Sequence, residues 1–273
     1  MSPAHIRPPT RIALGVEYDG SAFNGWQSQP DGKTVQDALE AALGAVAAEP
    51  VRVHCAGRTD AGVHALCQVA HFDTAAQRPD TAWVRGVNAN LPSTVAVRWA
   101  QPVGEDFHAR FSATGRRYRY VLLNRPQRPA LWASYAGWHH APLDAAAMQV
   151  AAQLWLGEHD FSAFRAAECQ AKSPVKTLYR AEVMRHGDWL IFDFHASAFL
   201  HHMVRNLVGT LVYVGKGAHP PGWAGEVLDS RSRDVAAPTF SAAGLYFAGV
   251  DYDASFGLAG KIEDSAVLPF CLL

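Results

Sequence analysis

The sequence predicts an α+β (mixed α/β) protein in which one βαββαβ pattern occurs twice. The length of 273 residues allows two domains of ordinary size, and 49% hydrophobic residues are enough for substantial cores. Strand-like alternation and helical spacing follow one another in the same order in each half of the chain. No apolar run reaches the length of a membrane span, since the most apolar long stretch, 199–215, carries His201, His202, Arg205 and Asn206. We therefore expect a soluble protein.

The first half contains four strand-like segments and two helical ones. The predicted strands are 12–18, 51–55, 66–72 and 94–99. Thr34 begins the first helix, with an acidic residue three positions later as in a capping box, and Pro50 closes it. Asp80 or Thr81 caps the second helix, which ends near Pro92.

The second half repeats the pattern. Its predicted strands are 116–123, 177–184, 189–195 and 244–252, and its predicted helices are 143–156, 199 to about 214, and a short extra helix at 223–228. This order is that of tandem ferredoxin-like domains, the layout also used by RNA-recognition (RRM-like) domains. We expect two antiparallel sheets that form a central RNA-binding cleft.

The predicted organisation is a flexible leader at 1–10, an N-terminal ferredoxin-like domain at 11–107 and a C-terminal ferredoxin-like domain at 108–273. Gly104 and Gly115 bracket the polar stretch that contains the predicted boundary. The leader has no apolar core of a signal peptide. The four cysteines form no close pair, which predicts a cytoplasmic protein without disulfides.

Basic residues are unevenly distributed, although the formal net charge is only −1. No acidic residue lies between Asp106 and Asp144, a segment with six arginines and interleaved aromatic residues. A second basic cluster includes Arg165 and Lys172. These segments predict a local phosphate-binding surface, and the alternative is a solvated strand face with a basic loop.

Asp60 is the most informative residue, because it stands between Gly57 and Gly62 with Arg58 two positions before it. Glycines let the backbone take positive φ and let a ligand approach the main chain, while the nearby guanidinium favours the ionised acid. Such a carboxylate can attack an electrophile or accept a proton. The alternative is a tight turn in which Asp60 caps the backbone.

Tyr118 and Arg205 are the other chemically suggestive residues. Strand alternation places Arg116, Tyr118 and Tyr120 on one face, where an aromatic ring flanked by arginines suits a stacked base; the alternative is a half-buried residue packed under a helix. Arg205 stands among apolar residues of a predicted helix, so it needs a counter-charge such as Asp60, unless it reaches solvent at the boundary.

Metal and nucleotide chemistry are not predicted. The segment with His54, Cys55, His64, Cys67 and His71 fits no standard zinc spacing, and neighbours on a strand point to opposite faces. The chain has no phosphate-loop, dinucleotide-binding or serine-hydrolase motif.

Seven motifs stand in one order along nearly the whole chain. They are YDGSAFNGWQ at 18–27, TVQ at 34–36, CAGRTDAGVHA at 55–65, RRYRY at 116–120, DFSAF at 160–164, FLHHMVRN at 199–206, and APT at 237–239 with Gly244-Leu-Tyr246. Together they resemble the tRNA pseudouridine synthase A family, which isomerises uridines at positions 38, 39 and 40 of the tRNA anticodon stem-loop.

The resemblance implies specific roles. Asp60 is implied to be the essential carboxylate, Tyr118 the tyrosine that stacks on the target base, Arg58 a neighbouring basic residue, and Arg205 the salt-bridge partner of Asp60. Substrate binding is assigned to Tyr118 and Arg58 and to five further residues, Leu245, Arg110, Arg116, Arg165 and Lys172. The resemblance also implies a homodimer, tRNA as the partner, and neither cofactor, metal nor membrane.

Isomerisation moves the glycosidic bond from N1 to C5 without oxidation or energy input, so one carboxylate suffices. Asp60 could attack C1′, add to C6 or remove a C2′ proton, and the three routes stay open. Two other functions compete with this one: a non-catalytic tandem RRM-like RNA-binding protein, in which Asp60 caps a turn, and a hydrolase that uses Asp60 with His64.

Overall fold

A computed structural model of the protein describes residues 9–262, which form two compact units. Within that range, unit 1 contains 9–113 and 249–262, and unit 2 contains 114–248. Most of the predicted leader, 1–8, lies outside the described residues, and the first strand already begins at Thr10. None of the helices within 9–262 is long and apolar enough to cross a membrane.

Unit 1 is a mixed α/β unit whose elements alternate as the sequence predicts. In chain order they are β1 (Thr10–Tyr18), α1 (Val35–Ala47), β2 (His54–Cys55), β3 (His64–Thr74), a π-helical turn (Ala82–Gly86) that continues into α2 (Val87–Asn90), and β4 (Val95–Val103). The sheet order is β4-β1-β3, with β2 paired to β3, and all three pairings are antiparallel.

Helix α1 begins and packs as expected. The Thr34 side chain accepts a hydrogen bond from the backbone N–H of Asp37, which satisfies one of the donors that a helix start leaves open. Leu39, Ala42 and Leu43 are buried on the face toward the unit's core. The helix ends at Ala47, and the next residue, Ala48, adopts a left-handed conformation with φ of 60°.

Two elements of unit 1 differ from the prediction. The strand predicted at 51–55 is reduced to His54–Cys55, because the Val53 N–H donates to the Glu40 carboxylate (2.9 Å) instead of joining a strand ladder. The second helix has no side-chain cap from Thr81, and its residues Ala82–Gly86 form one π-helical turn. In the first case a hydrogen bond to a side chain thus replaces strand pairing. In the second case a π-helical turn, which is wider than an α-helical one, replaces a regular α-helical turn.

His71 on β3 is a buried imidazole that the fold keeps neutral. Burial, and then the neighbouring His108, Arg11 and His54, lower its pKa from 6.5 to about 3, against a smaller opposite effect of Asp73. Its Nδ1 accepts the backbone N–H of Ala109 (3.1 Å), which a neutral ring can do.

This imidazole makes stability depend on pH. The unfolded chain takes up a proton near pH 6.5 and the folded chain only near pH 3, so the stabilisation from neutral His71 is complete above pH 6.5 and is lost as pH falls toward 3. We expect the difference in unfolding free energy between the parent and His71→Gln to shrink by about 1.4 kcal/mol per pH unit below 6.5. Urea unfolding between pH 4.5 and 7.5 measures it, and parallel curves would contradict this assignment.

Unit 2 is a second mixed α/β unit. Its elements are β5 (Ala113–Asn124), β6 (Gly137–His139), α3 (Ala145–Gln153), β7 (Gly157–Asp160), β8 (Val175–His186), β9 (Trp189–Ala196), α4 (Met203–Gly215), α5 (Trp223–Ser230) and the first half of β10 (Leu245–Tyr252). The sheet order is β10-β5-β9-β8-β7, and β6 pairs with β5. The β5–β6 pairing is parallel, whereas β5–β9, β9–β8 and β8–β7 are antiparallel.

Helix α4 begins at Met203, four residues after the predicted start at Phe199. The preceding backbone is used elsewhere: the His201 carbonyl accepts the Ala166 N–H (3.0 Å), and the His201 N–H donates to the Cys169 Sγ (3.4 Å). His202 then turns the chain with a left-handed φ of 61°. The residues before the helix therefore bind the 166–169 loop.

Candidate active site

Asp60 lies in unit 1 on the loop 56–63, which joins β2 to β3. Its carbonyl accepts the Val63 N–H (3.1 Å), which closes a turn that Gly62 completes with φ of 76°. The Asp60 side chain is half-buried and Arg58 is exposed. Both side chains therefore belong to one loop, with Arg58 the more exposed of the two.

The residue before Asp60 is fixed on both sides. Thr59 is buried, its hydroxyl is hydrogen-bonded to the Tyr18 hydroxyl (2.8 Å), and its carbonyl accepts the Trp26 N–H (3.0 Å). Burial raises the pKa of Tyr18, so its phenol stays neutral. These bonds hold the backbone at Asp60 in one conformation.

A second anchor holds the start of the loop. The buried amide of Gln68 donates to the Gly57 carbonyl (2.6 Å) and accepts the Gly57 N–H (3.3 Å). Gln68 and Tyr18 lie on β3 and β1, which are paired strands. The loop is therefore attached to the sheet of unit 1 at its start as well, which fixes the position of its backbone.

The 18–27 motif lies against this loop so closely that two glycines are needed. A Cβ on Gly20 would lie 2.0 Å from the Val63 carbonyl oxygen, and one on Gly25, where φ is +87°, would lie 2.7 Å from that of Thr59. Buried His64 adds a further contact, since its Nδ1 accepts the Gly20 N–H (3.1 Å).

Arg58 and Arg110 act on the same buried thiol of unit 1. Burial raises the pKa of Cys55 to about 12, and the guanidinium groups of Arg58 and Arg110 oppose that rise. Cys55 is therefore an inert thiol. Both arginines are exposed near the end of β2, where the Asp60 loop begins.

Tyr118 lies in unit 2 on β5, opposite Phe194 of β9. Its half-buried ring packs edge to face against Phe199 (5.0 Å between centroids) and Phe247 (5.2 Å). These contacts fix the plane of the ring while leaving part of it accessible.

The arginines beside Tyr118 have structural contacts. Arg119 forms a two-point ion pair with Asp193 across the β5–β9 ladder (2.7 and 3.2 Å), and Arg116 donates to the Ser197 carbonyl (3.1 Å). The Arg119 contact ties β5 to its neighbour β9, and the Arg116 contact ties β5 to the residue that follows β9.

Arg205 lies in the first turns of α4, and its side chain is half-buried. Its Nε donates to the Phe240 carbonyl (2.8 Å), while its own carbonyl accepts the Phe240 N–H (3.2 Å). The base of the guanidinium is therefore held in place. Phe199, which contacts the Tyr118 ring, stands just before α4, the helix that carries Arg205. One segment of the chain therefore supports both side chains.

Asn206 joins three motifs, and the sequence did not reveal its partners. Its side-chain amide is buried in a largely apolar helix, donates to the Phe164 carbonyl (2.8 Å), and accepts from Thr239 (2.7 Å) and Arg233 (3.2 Å). An amide in an apolar helix indicates such a network, because it must be paired when buried.

The remaining predicted binding residues have different environments. Arg165 donates to the carbonyls of Cys169 and Ala171, so its head group holds its own loop together. Lys172 follows on this loop and is exposed, whereas Leu245 is buried at the start of β10. Arg165 therefore shapes the loop that presents Lys172.

Comparisons with known proteins agree on one family. A family described as tRNA pseudouridine synthase matches residues 15–112 and 151–253. Proteins named tRNA pseudouridine synthase A are similar over almost their whole lengths. That of Dechloromonas aromatica is 67% identical, over 93% of this chain and 97% of its own. Those of Aromatoleum aromaticum and Methylobacillus flagellatus are 63% and 61% identical, each over 92% of this chain and over 95% and 96% of their own. The chain therefore belongs to the tRNA pseudouridine synthase family.

Proposed function

We propose that this protein isomerises uridine to pseudouridine at positions 38, 39 and 40 of the tRNA anticodon stem-loop, with Asp60 as the catalytic carboxylate. Uridine isomerisation in tRNA is the activity of the family to which the chain belongs. The observation that carries the assignment to Asp60 is the rigid attachment of its loop, through Thr59 and Gly57, to the sheet of unit 1.

Asp60 starts the reaction, whichever of the three routes is taken: attack on C1′, addition to C6, or removal of a C2′ proton. A fixed carboxylate is suited to each, because orientation removes much of the entropic barrier of bringing two groups together. The reaction requires no redox step, and no cofactor or metal is part of the proposal.

Tyr118 stacks on the flipped base and assists loss of the C5 proton in this mechanism. Unstacking a base from a helix costs a few kcal/mol, which an aromatic partner partly offsets. The phenol then lies beside the ring that must lose a proton. The edge-to-face packing on Phe199 and Phe247 supports this role, because it holds the ring in one orientation.

Arg205 is proposed to pair with Asp60 and keep it ionised, and the bonds that hold its side chain at Phe240 support a positioning role. Arg205→Ala is therefore expected to lower turnover on the order of 100-fold, with tRNA affinity changed by less than about threefold. Single-turnover rates and filter binding measure the two quantities.

Arg205→Lys and Arg231→Ala serve as controls. Lysine keeps the charge and should recover part of the turnover, while Arg231 is an exposed arginine of the same unit, and its removal should change neither quantity. Equal losses of turnover and affinity in Arg205→Ala would overturn the positioning role.

We also propose that each of the two units has a ferredoxin-like fold. Strand orders β4-β1-β3-β2 in unit 1 and β10-β5-β9-β8 in unit 2 support a ferredoxin-like fold for each, because both place the first and third strands of a βαββαβ unit in the middle of the sheet. The domains proposed from the sequence, 11–107 and 108–273, with a central RNA-binding cleft, complete this scheme.

We further propose a cytoplasmic homodimer that binds the anticodon stem-loop. Arg58, Arg110 and Lys172 are exposed cations that suit RNA phosphates. Light scattering of the purified protein should give twice the mass of 29.6 kDa. A monomer mass at micromolar concentration would remove the dimer from the proposal.

The proposed function is tested by mapping pseudouridine in unmodified tRNA transcripts after incubation with the protein. After carbodiimide labelling, primer extension should be stopped by the labelled nucleotides 38, 39 and 40 and by no other uridine. Bound tRNA with every uridine unchanged would favour the non-catalytic RNA-binding protein, and free uracil or a cut strand would favour the hydrolase.

A further inference from the structure

Phe111 is a large apolar residue that the fold leaves open, with 76% of it exposed. It lies in unit 1 after β4, where the His108 ring stacks on it with 4.3 Å between centroids and 30° between planes. The Arg110 guanidinium lies 5.8 Å from its centroid. We call His108, Arg110 and Phe111 the Phe111 platform.

The platform is held by its own backbone. The Nδ1 of His108 accepts the N–H groups of Arg110 (3.1 Å) and Phe111 (3.3 Å). His108 and Ser112 exchange two further hydrogen bonds of 2.9 Å. Burial lowers the pKa of His108, which favours the neutral ring that these bonds need. The ring is therefore presented in a fixed orientation, unlike an isolated exposed apolar residue.

The platform is also connected to the catalytic loop within unit 1. His54 on β2 stacks on His71 (5.2 Å) and contacts His108 (5.6 Å). The next residue, Cys55, is under the charges of both Arg58 and Arg110, and the Asp60 loop follows directly. An exposed aromatic ring and two exposed cations thus share the surface near the end of β2.

We propose that the Phe111 platform binds an unpaired nucleobase of the tRNA by stacking on Phe111, while Arg110 contacts an adjacent phosphate. The inference rests on the proposed function, and it adds a contact in unit 1 to the stacking assigned to Tyr118 in unit 2. An aromatic ring beside a cation is suited to single-stranded RNA, because every base has a π-face and every nucleotide carries a phosphate. With 76% of Phe111 exposed, an accessible surface remains for the base beside its contacts with His108 and Arg110.

Binding variants in an Asp60→Asn background test the platform without turnover. The probe is an unmodified anticodon stem-loop with 2-aminopurine at single unpaired positions. We expect Phe111→Ala to weaken binding roughly tenfold and to abolish the fluorescence quenching at one position, while Phe111→Trp retains both. The dependence of affinity on salt should stay unchanged in Phe111→Ala but fall by about one unit of slope in Arg110→Ala.

Leu131→Ala is the matched control, because Leu131 is an apolar residue that is 84% exposed in unit 2, and its removal should change neither affinity nor quenching. Unchanged affinity and quenching in Phe111→Ala, with normal pseudouridine formation by the parent, would overturn the platform alone. A parent that binds no tRNA would overturn the proposed function as well. Loss of dimer mass in Phe111→Ala would identify the surface as an interface between two copies and would also overturn the platform.

Discussion

Asp60→Asn is expected to lower the rate of uridine isomerisation on the order of 10⁴-fold or more, while tRNA affinity stays within about threefold of the parent's. The amide keeps the size of the carboxylate but can neither act as a nucleophile nor take a proton. The loop should persist, because Thr59 and Gly57 attach it to the sheet of unit 1. Single-turnover assays and equilibrium binding measure the two quantities.

Asp80→Asn is the matched control, an exposed carboxylate of the same unit that should retain full activity. Thermal unfolding of both variants should agree with that of the parent within about 1 °C, which would separate catalysis from folding. An active Asp60→Asn would contradict the assignment, and inactive Asp80→Asn would show that the assay reports general damage.

Tyr118→Phe is expected to lower turnover by about 10²- to 10⁴-fold with little change in tRNA affinity, because the ring stays packed on Phe199 and Phe247 but loses the group that assists proton loss. The slow step should shift to removal of the C5 proton. A deuterium label at C5 should therefore slow the variant more than it slows the parent.

Tyr118→Leu completes this test, since it removes the ring and should weaken binding as well as turnover. Tyr179→Phe is the control, an exposed tyrosine of β8 whose hydroxyl the mechanism does not use. Full activity in Tyr118→Phe would show that the hydroxyl does not assist proton loss and that Tyr118 contributes only by stacking.

The sequence predicted the helices and strands that are determined by residues close together in the chain. Over 12–18, strand β1 alternates large side chains with small or charged ones, and helix α1 has the Thr34 cap, so each is recognisable from a short window. The short strands β6 and β7 were missed, because they have too few residues for an alternating pattern. The late start of α4 depends on contacts of His201 with the 166–169 loop, which no local pattern encodes.

In the candidate site, too, some features are readable from neighbouring residues and others depend on contacts distant in sequence. The glycines around Asp60 indicated a special loop, but its anchors are distant in sequence, with Tyr18 on β1 and Gln68 on β3. Arg165 shows the opposite case: a basic residue suited to phosphate uses its head group on nearby carbonyls. Residue type and spacing suggest which groups can react, whereas the partners that fix or occupy them follow from the fold.

Release of tritium from C5-labelled uridine in unmodified tRNA, in EDTA and without any nucleotide, tests the central claim most directly. Each isomerised uridine loses its C5 hydrogen, so the parent protein should release tritium equivalent to three uridines in a tRNA with uridine at 38, 39 and 40, and Asp60→Ala should release none. Equal release by both proteins, or none by the parent while it still binds the tRNA, would contradict isomerisation through Asp60.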